Sequence, residues 1–187
     1  MISSPIRSER VTLDALVPSD AEAIYHYCQD AEVQRWVHVP SPYTRPDAEY
    51  FVTTYATDAS TSAALTLWGI RSPDGALLGV IELRHEPVGS ATVGYWLGHE
   101  HRGRGIMSEA VQILVEYAFD PMGLDLRRIH WESFIGNYGS AIVARRNGFH
   151  FEGTMRQSTV HRGSRVDTWH ASLLSTDDRE LQDGWPL

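Results

Sequence analysis

The chain of 187 residues contains no lysine and a single cysteine, Cys28. One cysteine excludes an internal disulfide framework and fits a reducing compartment. It sits in an apolar helical stretch, where packing is the first reading and use as a nucleophile the second. All sixteen basic residues are arginine and the formal net charge is -8, so the excess of positive charge that a nucleic-acid-binding surface needs is missing. Arginine gives planar forked donors suited to phosphate and carboxylate, although codon bias toward arginine would leave the same record. No apolar run reaches membrane-spanning length, and Met1 to Arg7 lacks the apolar run of a secretion signal, so a cytoplasmic protein that contacts no membrane is expected. Repeats, low-complexity tracts and domain-separating linkers are also missing, and one domain with a substantial core accounts for the length.

What is present reads as alternating strands and helices. A strand is expected near Arg10 to Leu16. Ser19 and Glu22 are spaced as a capping box and predict a helix to about Asp30. A second helix, with Pro46 in its first turn, runs from Pro46 to Thr57. Runs at Ala64 to Arg71, Ala76 to His85 and Ala91 to Gly98, separated by turn residues, predict an antiparallel meander. Apolar residues Ile106, Ala110, Ile113, Leu114 and Tyr117 recur at helical spacing between Gly105 and Phe119. A strand at Arg128 to Phe134, a short helix at Asn137 to Asn147 closed by Gly148, and strands at Phe151 to Val160 and Val166 to Leu174 complete the pattern. Thr176 to Leu187 reads as a loose, polar, acidic tail beyond a domain of residues 8–175.

The most informative segment runs from Gly94 through Tyr95, Trp96 and Leu97 to Arg102, Gly103, Arg104, Gly105, Ile106, Met107 and Ser108. Here a strand leads through a glycine-rich turn into a helix. Small residues admit close backbone approach, and first-turn amides with the helix dipole favour a bound anion such as a pyrophosphate. A turn that only joins strand to helix would look the same. Both the Lys-Ser/Thr ending of an NTP-binding loop and the placement of a dinucleotide-binding motif are missing.

With this segment the chain resembles the GNAT superfamily of acyl-CoA-dependent N-acyltransferases, within it the Rim-type ribosomal-protein N-acetyltransferase branch. The likeness extends from about Ser8 to Leu174. Arg102 to Met107 meets the superfamily signature Arg/Gln-x-x-Gly-x-Gly/Ala except at its last position, where Met107 replaces a small residue in the manner of the branch. Gly94 to Leu97 and Arg146 to Phe149 carry further branch features. The resemblance implies an α/β (α+β) fold, a mixed and mostly antiparallel sheet of about seven strands flanked by about four helices and splayed between two central strands. Acetyl-CoA or another acyl-CoA would be the cosubstrate, with its pantetheine on the backbone of Tyr95, Trp96 and Leu97 and its pyrophosphate on the amides of Arg102 to Ser108.

Asn137 and Ser140 match a further family motif, in which the serine protonates the departing thiolate and the asparagine fixes the pantetheine arm; both residues equally suit a helix cap. Tyr138 is a second candidate acid. The attacking amine must shed a proton, and Glu82, interrupting the apolar run Leu77 to Leu83, is the leading base, although strand alternation would also let it face solvent. His85, Glu86 and His130 are reserves. Trp36, His38 and Tyr43, between the first two helices, border the acceptor site in this family and would either wall a pocket or lie in the core. Arg145 and Arg146 would either reach cofactor phosphates or remain surface residues. His99 and His101 lack a third partner, and no metal is expected. The acceptor amine would be a protein N-terminus, or alternatively a small molecule; a non-catalytic acyl-CoA-binding protein is the reading from another class. A homodimer is compatible with the family.

Overall fold

The computed structural model describes residues 4–187; Met1 to Ser3, part of the leading segment read above, lie outside the described residues. Eight strands form one sheet: β1 (Ile6–Arg7), β2 (Thr12–Asp14), β3 (Leu65–Arg71), β4 (Leu77–Glu86), β5 (Ser90–Leu97), β6 (Arg128–Phe134), β7 (His150–His161) and β8 (Ser164–Leu174), in the order β1-β2-β3-β4-β5-β6-β8-β7. Every neighbouring pair is antiparallel except β5 and β6. The helices are α1 (Ala21–Tyr27), α2 (Ala31–Trp36), α3 (Arg45–Tyr50), α4 (Ala56–Thr61), α5 (Ile106–Phe119) and α6 (Tyr138–Arg146).

The mixed α/β architecture agrees with the sequence reading, with differences in the amino-terminal third. The two-residue β1 escapes pattern recognition because no periodicity can show in so short a strand. The expected first helix is two: Asp30 caps a separate α2 by accepting from the Glu32 amide at 3.1 Å. Asp20, not Ser19, organises the start of α1; its carboxylate accepts from the Val17 amide at 2.8 Å and is held by the half-buried Arg71. Thr44 and Asp47 cap α3, and a π turn at Phe51–Tyr55 carries the helical path on to Thr61, beyond the expected end at Thr57.

Alternation divides the sheet into two faces. Ile81, Leu83, Ile129, Trp131, Ala171 and Leu173 pack beneath α5 and α6 in the main core. Ile24, Val33, Val52 and Leu77 form a second core under α1 to α3, and Ala59, Leu67 and Val80 a smaller one under α4. Residues 176–187 adopt neither helix nor strand, but the looseness expected of them does not hold. Trp185 is buried, its indole donates to the Phe149 carbonyl at 3.2 Å, and its ring lies 5.4 Å from both Trp131 and Phe151.

One feature of the sheet sets up the site. β5 and β6 pair only from Ser90 to Val93 with Arg128 to Trp131. Beyond Val93, β5 stays on β4 as far as Leu97, while β6 stays on β8 as far as Phe134. The two strands therefore part, and α5 and α6 begin at the mouth of the gap.

Candidate active site

The cradle is built at the start of α5. Gly103 and Gly105 have φ of 73° and 77°, the left-handed region that side chains resist, and Gly105 caps the helix. The first α-helical bond runs from the Glu109 amide to the Gly105 carbonyl, so the amides of Ile106, Met107 and Ser108 precede it and point out of the helix end. Met107 does not obstruct them, because its side chain is buried in the main core. Ser8 and Arg10 buttress the turn by binding Glu109, and Arg10 also donates to the Arg104 carbonyl at 3.1 Å.

The Arg102 side chain is turned inward, donating to the Leu97 carbonyl at 3.0 and 3.1 Å and pairing with Asp30 at 2.7 Å. It braces strand against turn, and only its backbone remains for an anion. Arg104 is exposed. On β5, the Gly98 amide donates to the Leu78 carbonyl, so antiparallel alternation gives the Trp96 backbone to β4 and turns that of Tyr95 and Leu97 into the gap. Of the three residues expected to offer backbone groups there, Trp96 offers its side chain instead.

A cavity of about 620 Å³ follows this track from Arg102 to Ser108, past Tyr95 to Leu97, and on to Asn137 and Ser140. Arg146 lines it, whereas Arg145 turns to the carboxyl-terminal segment and donates to the Gln182 carbonyl at 2.9 Å. Asn137 does act as a cap, accepting from the Ser140 amide at 3.2 Å. The Ser140 hydroxyl accepts from the Trp131 indole at 3.1 Å and donates to the Tyr95 hydroxyl at 3.2 Å, which in turn donates to the Ser140 carbonyl at 3.1 Å. Burial pushes the Tyr95 phenol well above its ordinary value, so it stays protonated. Neither side-chain contact is signalled in the sequence, which points to Tyr95 for its backbone and to Trp131 only as part of a strand. Tyr138 is exposed and packs against Trp169.

A second cavity of about 460 Å³ opens on the other side of the gap. Trp36, Tyr95, Trp96, Asn137 and Ser140 line both cavities, so the two share a wall that includes Ser140. Glu82 lines the second, with its side chain 17% exposed and 3.4 Å from Arg84. Burial pushes the Glu82 carboxyl up, opposed by Arg84 and by a hydrogen bond from Tyr55. The solvent-facing alternative for Glu82 is set aside by Tyr50 of α3 and by Phe51 and Tyr55 of the π turn, which line the same cavity.

His38 lies at the wall, its ring 5.3 Å from both Phe134 and His161, and Trp36 donates to Glu32 at 2.8 Å. Tyr43 is mostly core, next to Cys28. Burial pushes the Cys28 thiol up to about 12, which removes it as a nucleophile. His85, Glu86 and His130 do not line the second cavity; His85 instead meets Thr66 at 2.8 Å. His101 bonds Tyr27 at 2.9 Å, and among the described residues no three His, Cys, Asp or Glu side chains gather as a metal site requires.

Comparison with known proteins agrees with this geometry. YjcK of Bacillus subtilis is 36% identical over 110 residues, 57% of this chain and 60% of that protein. The ribosomal-protein-serine acetyltransferase of Escherichia coli is 42% identical over 84 residues, 44% of this chain and 46% of its own length. The structure of RimL, a ribosomal L7/L12 alpha-N-protein acetyltransferase solved in complex with coenzyme A, superposes with a TM-score of 0.80 at 26% identity, covering 91% of this chain and 98% of that one. The acetyltransferase (GNAT) domain matches residues 10–150. With that match spanning the cradle, the splayed strands and α6, the chain belongs to the GNAT acetyltransferase family.

Proposed function

We propose that the protein transfers the acetyl group of acetyl-CoA directly to a primary amine, and that the amine is the N-terminus of a protein. The observation that carries this reading is the wall, including Ser140, that the two cavities share, with the anion cradle on one side and Glu82 on the other. The cofactor pyrophosphate fits the amides of Ile106 to Ser108, and its pantetheine fits the free backbone edge of Tyr95 and Leu97. Glu82, held above the ordinary carboxyl range by burial, takes a proton from the attacking nitrogen. A strand amide stabilises the oxyanion of the tetrahedral intermediate, and the Ser140 hydroxyl protonates the departing thiolate. Two separate cavities favour direct attack, without an acyl-enzyme.

The acceptor side also suits a confined amine. Arg162, at the tip of the β7–β8 hairpin, donates to the Gln34 carbonyl of α2 at 2.5 Å, and His161 packs edge-on against His38, so the hairpin reaches across the cleft. A flexible chain end passes beneath such a bridge; a side chain on a flat folded surface does not. A small-molecule amine passes as well and is the second reading. The relatives named for ribosomal proteins favour the chain end. The net charge of -8 suits a cationic acceptor, and the cytoplasm, where acetyl-CoA and ribosomes meet, is the proposed location.

The test is release of CoA thiol from acetyl-CoA with short peptides bearing free N-terminal serine or alanine, against a panel of small amines. Turnover with peptides supports the N-terminal reading, and turnover with small amines alone replaces it. Tight CoA binding without turnover on any acceptor makes the protein a binder.

A further inference from the structure

An unbroken row of polar side chains crosses the sheet on the face of the acceptor cavity, through residues the acyl-transfer reading does not use. Thr92 on β5 donates to the Glu86 carboxylate at 2.8 Å. His130 Nδ1 on β6 lies 3.2 Å from the Thr92 hydroxyl, and His130 Nε2 lies 2.9 Å from His170 Nδ1 on β8. His170 Nε2 lies 2.6 Å from the Thr168 hydroxyl, which lies 2.5 Å from that of Ser158 on β7. Thr168 stands in the wall of the acceptor cavity, only 1% exposed, and Glu86 is exposed at the opposite end.

The carboxylate fixes the polarity of the whole row. An ionised Glu86 only accepts, so Thr92 spends its proton there and must accept from His130 Nδ1–H. A neutral His130 then accepts at Nε2, which requires His170 to carry its proton on Nδ1. His170 Nε2 accepts in turn, so Thr168 donates to it, and Ser158 donates to Thr168. Burial foremost, with His170 and Arg128 adding to it, pushes His130 below its ordinary value and keeps it neutral, against Glu132 and Glu86 pulling the other way. Glu152 also borders the pair but is engaged by Arg128 and by Ser172.

From this we infer that the Thr168–His170–His130–Thr92–Glu86 row is a proton exit from the acceptor cavity. The proposal rests on the acyl-transfer reading. An ammonium acceptor and acetyl-CoA give an amide, free CoA thiol and one proton, so one proton leaves per turnover. It passes from the ammonium to the Thr168 oxygen while the Thr168 proton moves to His170 Nε2. The Nδ1 proton of His170 moves to His130 Nε2, that of His130 Nδ1 to the Thr92 oxygen, and that of Thr92 to Glu86, which releases it to solvent. His130 and His170 line an open groove, and there each ring regains its starting tautomer by taking a proton from water at one nitrogen and returning one from the other, while the hydroxyls rotate back. These are positioning and relay residues; Glu82 remains the base for the nitrogen within the cavity.

Thr92→Val tests the row, because it removes one hydroxyl at nearly constant volume and touches neither cavity. In the full-length protein with ¹⁵N-labelled histidine, long-range ¹H–¹⁵N spectra near neutral pH should show both His130 and His170 as Nδ1–H tautomers, and Thr92→Val should disturb His170 from across the sheet. With acetyl-CoA and a short N-terminal serine peptide, Thr92→Val should lower kcat below neutral pH by about 10²-fold, with KM for acetyl-CoA unchanged and the defect shrinking as pH rises and free amine becomes abundant. Thr92→Ser should restore both signals and rate. The opposite tautomers overturn the row, and a pH profile for Thr92→Val that superposes on the wild type overturns its role. Wild-type protein that acylates no amine overturns the acyl-transfer reading and the relay's role together, while the tautomers still decide whether the row exists.

Discussion

At the scale of one residue, the Ser140 hydroxyl touches both the Tyr95 phenol and the Trp131 indole, and the proposed chemistry centres on it. Ser140→Ala is expected to lower kcat by about 10²-fold if the hydroxyl serves the leaving thiolate. CoA affinity measured by calorimetry should stay close to wild type, since the cradle contacts are backbone. The same change strands the indole N–H and should cost about 1–2 kcal/mol in denaturant unfolding. Glu82 has a pH signature of its own. Its folded value lies above the ordinary 4.5, so the folded state binds the proton more tightly than the unfolded state does. Stability is therefore fully present below 4.5 and is lost as pH rises through the folded value. Glu82→Gln keeps the shape without the charge. Its Tm should exceed that of the wild type at pH 8 and converge with it toward pH 4, while acetyl transfer falls; a Tm gap that widens in acid would contradict the buried-base assignment.

Among elements, the start of α5 matters most, and the sequence announces it through glycines. Gly105 has φ of 77°, and a methyl group there would lie 3.5 Å from Arg10, so conformation rather than crowding is the constraint. Gly105→Ala should cost about 1–2 kcal/mol in denaturant unfolding and raise the Kd for CoA, because the strained cap turns the first-turn amides away from their common target. The divergence of β5 from β6 is a different kind of feature. Gly94 stands at the point of separation, and a methyl group there would come within 3.1 Å of the Glu82 carboxylate. The glycine at the point of separation thus also makes room for the proposed base.

For the whole molecule, the carboxyl-terminal segment closes the main core. Trp185 fills the space beside Trp131, whose indole holds Ser140, so the segment supports the site at one remove. Trp185→Ala should cost about 3 kcal/mol by denaturant midpoint, the usual toll of truncating a buried tryptophan. It should also loosen the Trp131–Ser140 contact, visible as a fall in kcat larger than the change in CoA affinity. If unfolding leaves the midpoint unmoved, residues 176–187 do not belong to the folded unit.

Much of this was legible in the sequence because its signals are local. The glycine turn, the apolar stripe of α5, the meander of β3 to β5 and the Asn137 cap each depend on residues within a few positions of one another. Burial of Trp185, by contrast, joins positions too far apart to leave a period, and a polar segment holding one tryptophan looks like a tail. Arg102 shows the same limit: its place in the motif is plain, but only the approach of Asp30 and the Leu97 carbonyl decides that its guanidinium braces the turn.

The sequence alone determined the alternation of strands and helices and the glycine turn that opens α5, since backbone conformation and hydrophobic periodicity are written in neighbouring residues, while the sheet and the track along β5 came from the likeness to a family. Only the tertiary structure decided how the acceptor end is made. Glu82 faces a cavity instead of water because helices from elsewhere in the chain cover it, and the two histidines of the polar row meet because β6 and β8 are neighbours in space though 40 residues apart in sequence. Charge and hydrogen bonding depend on what the folded chain brings within a few ångströms, and sequence spacing does not record that distance.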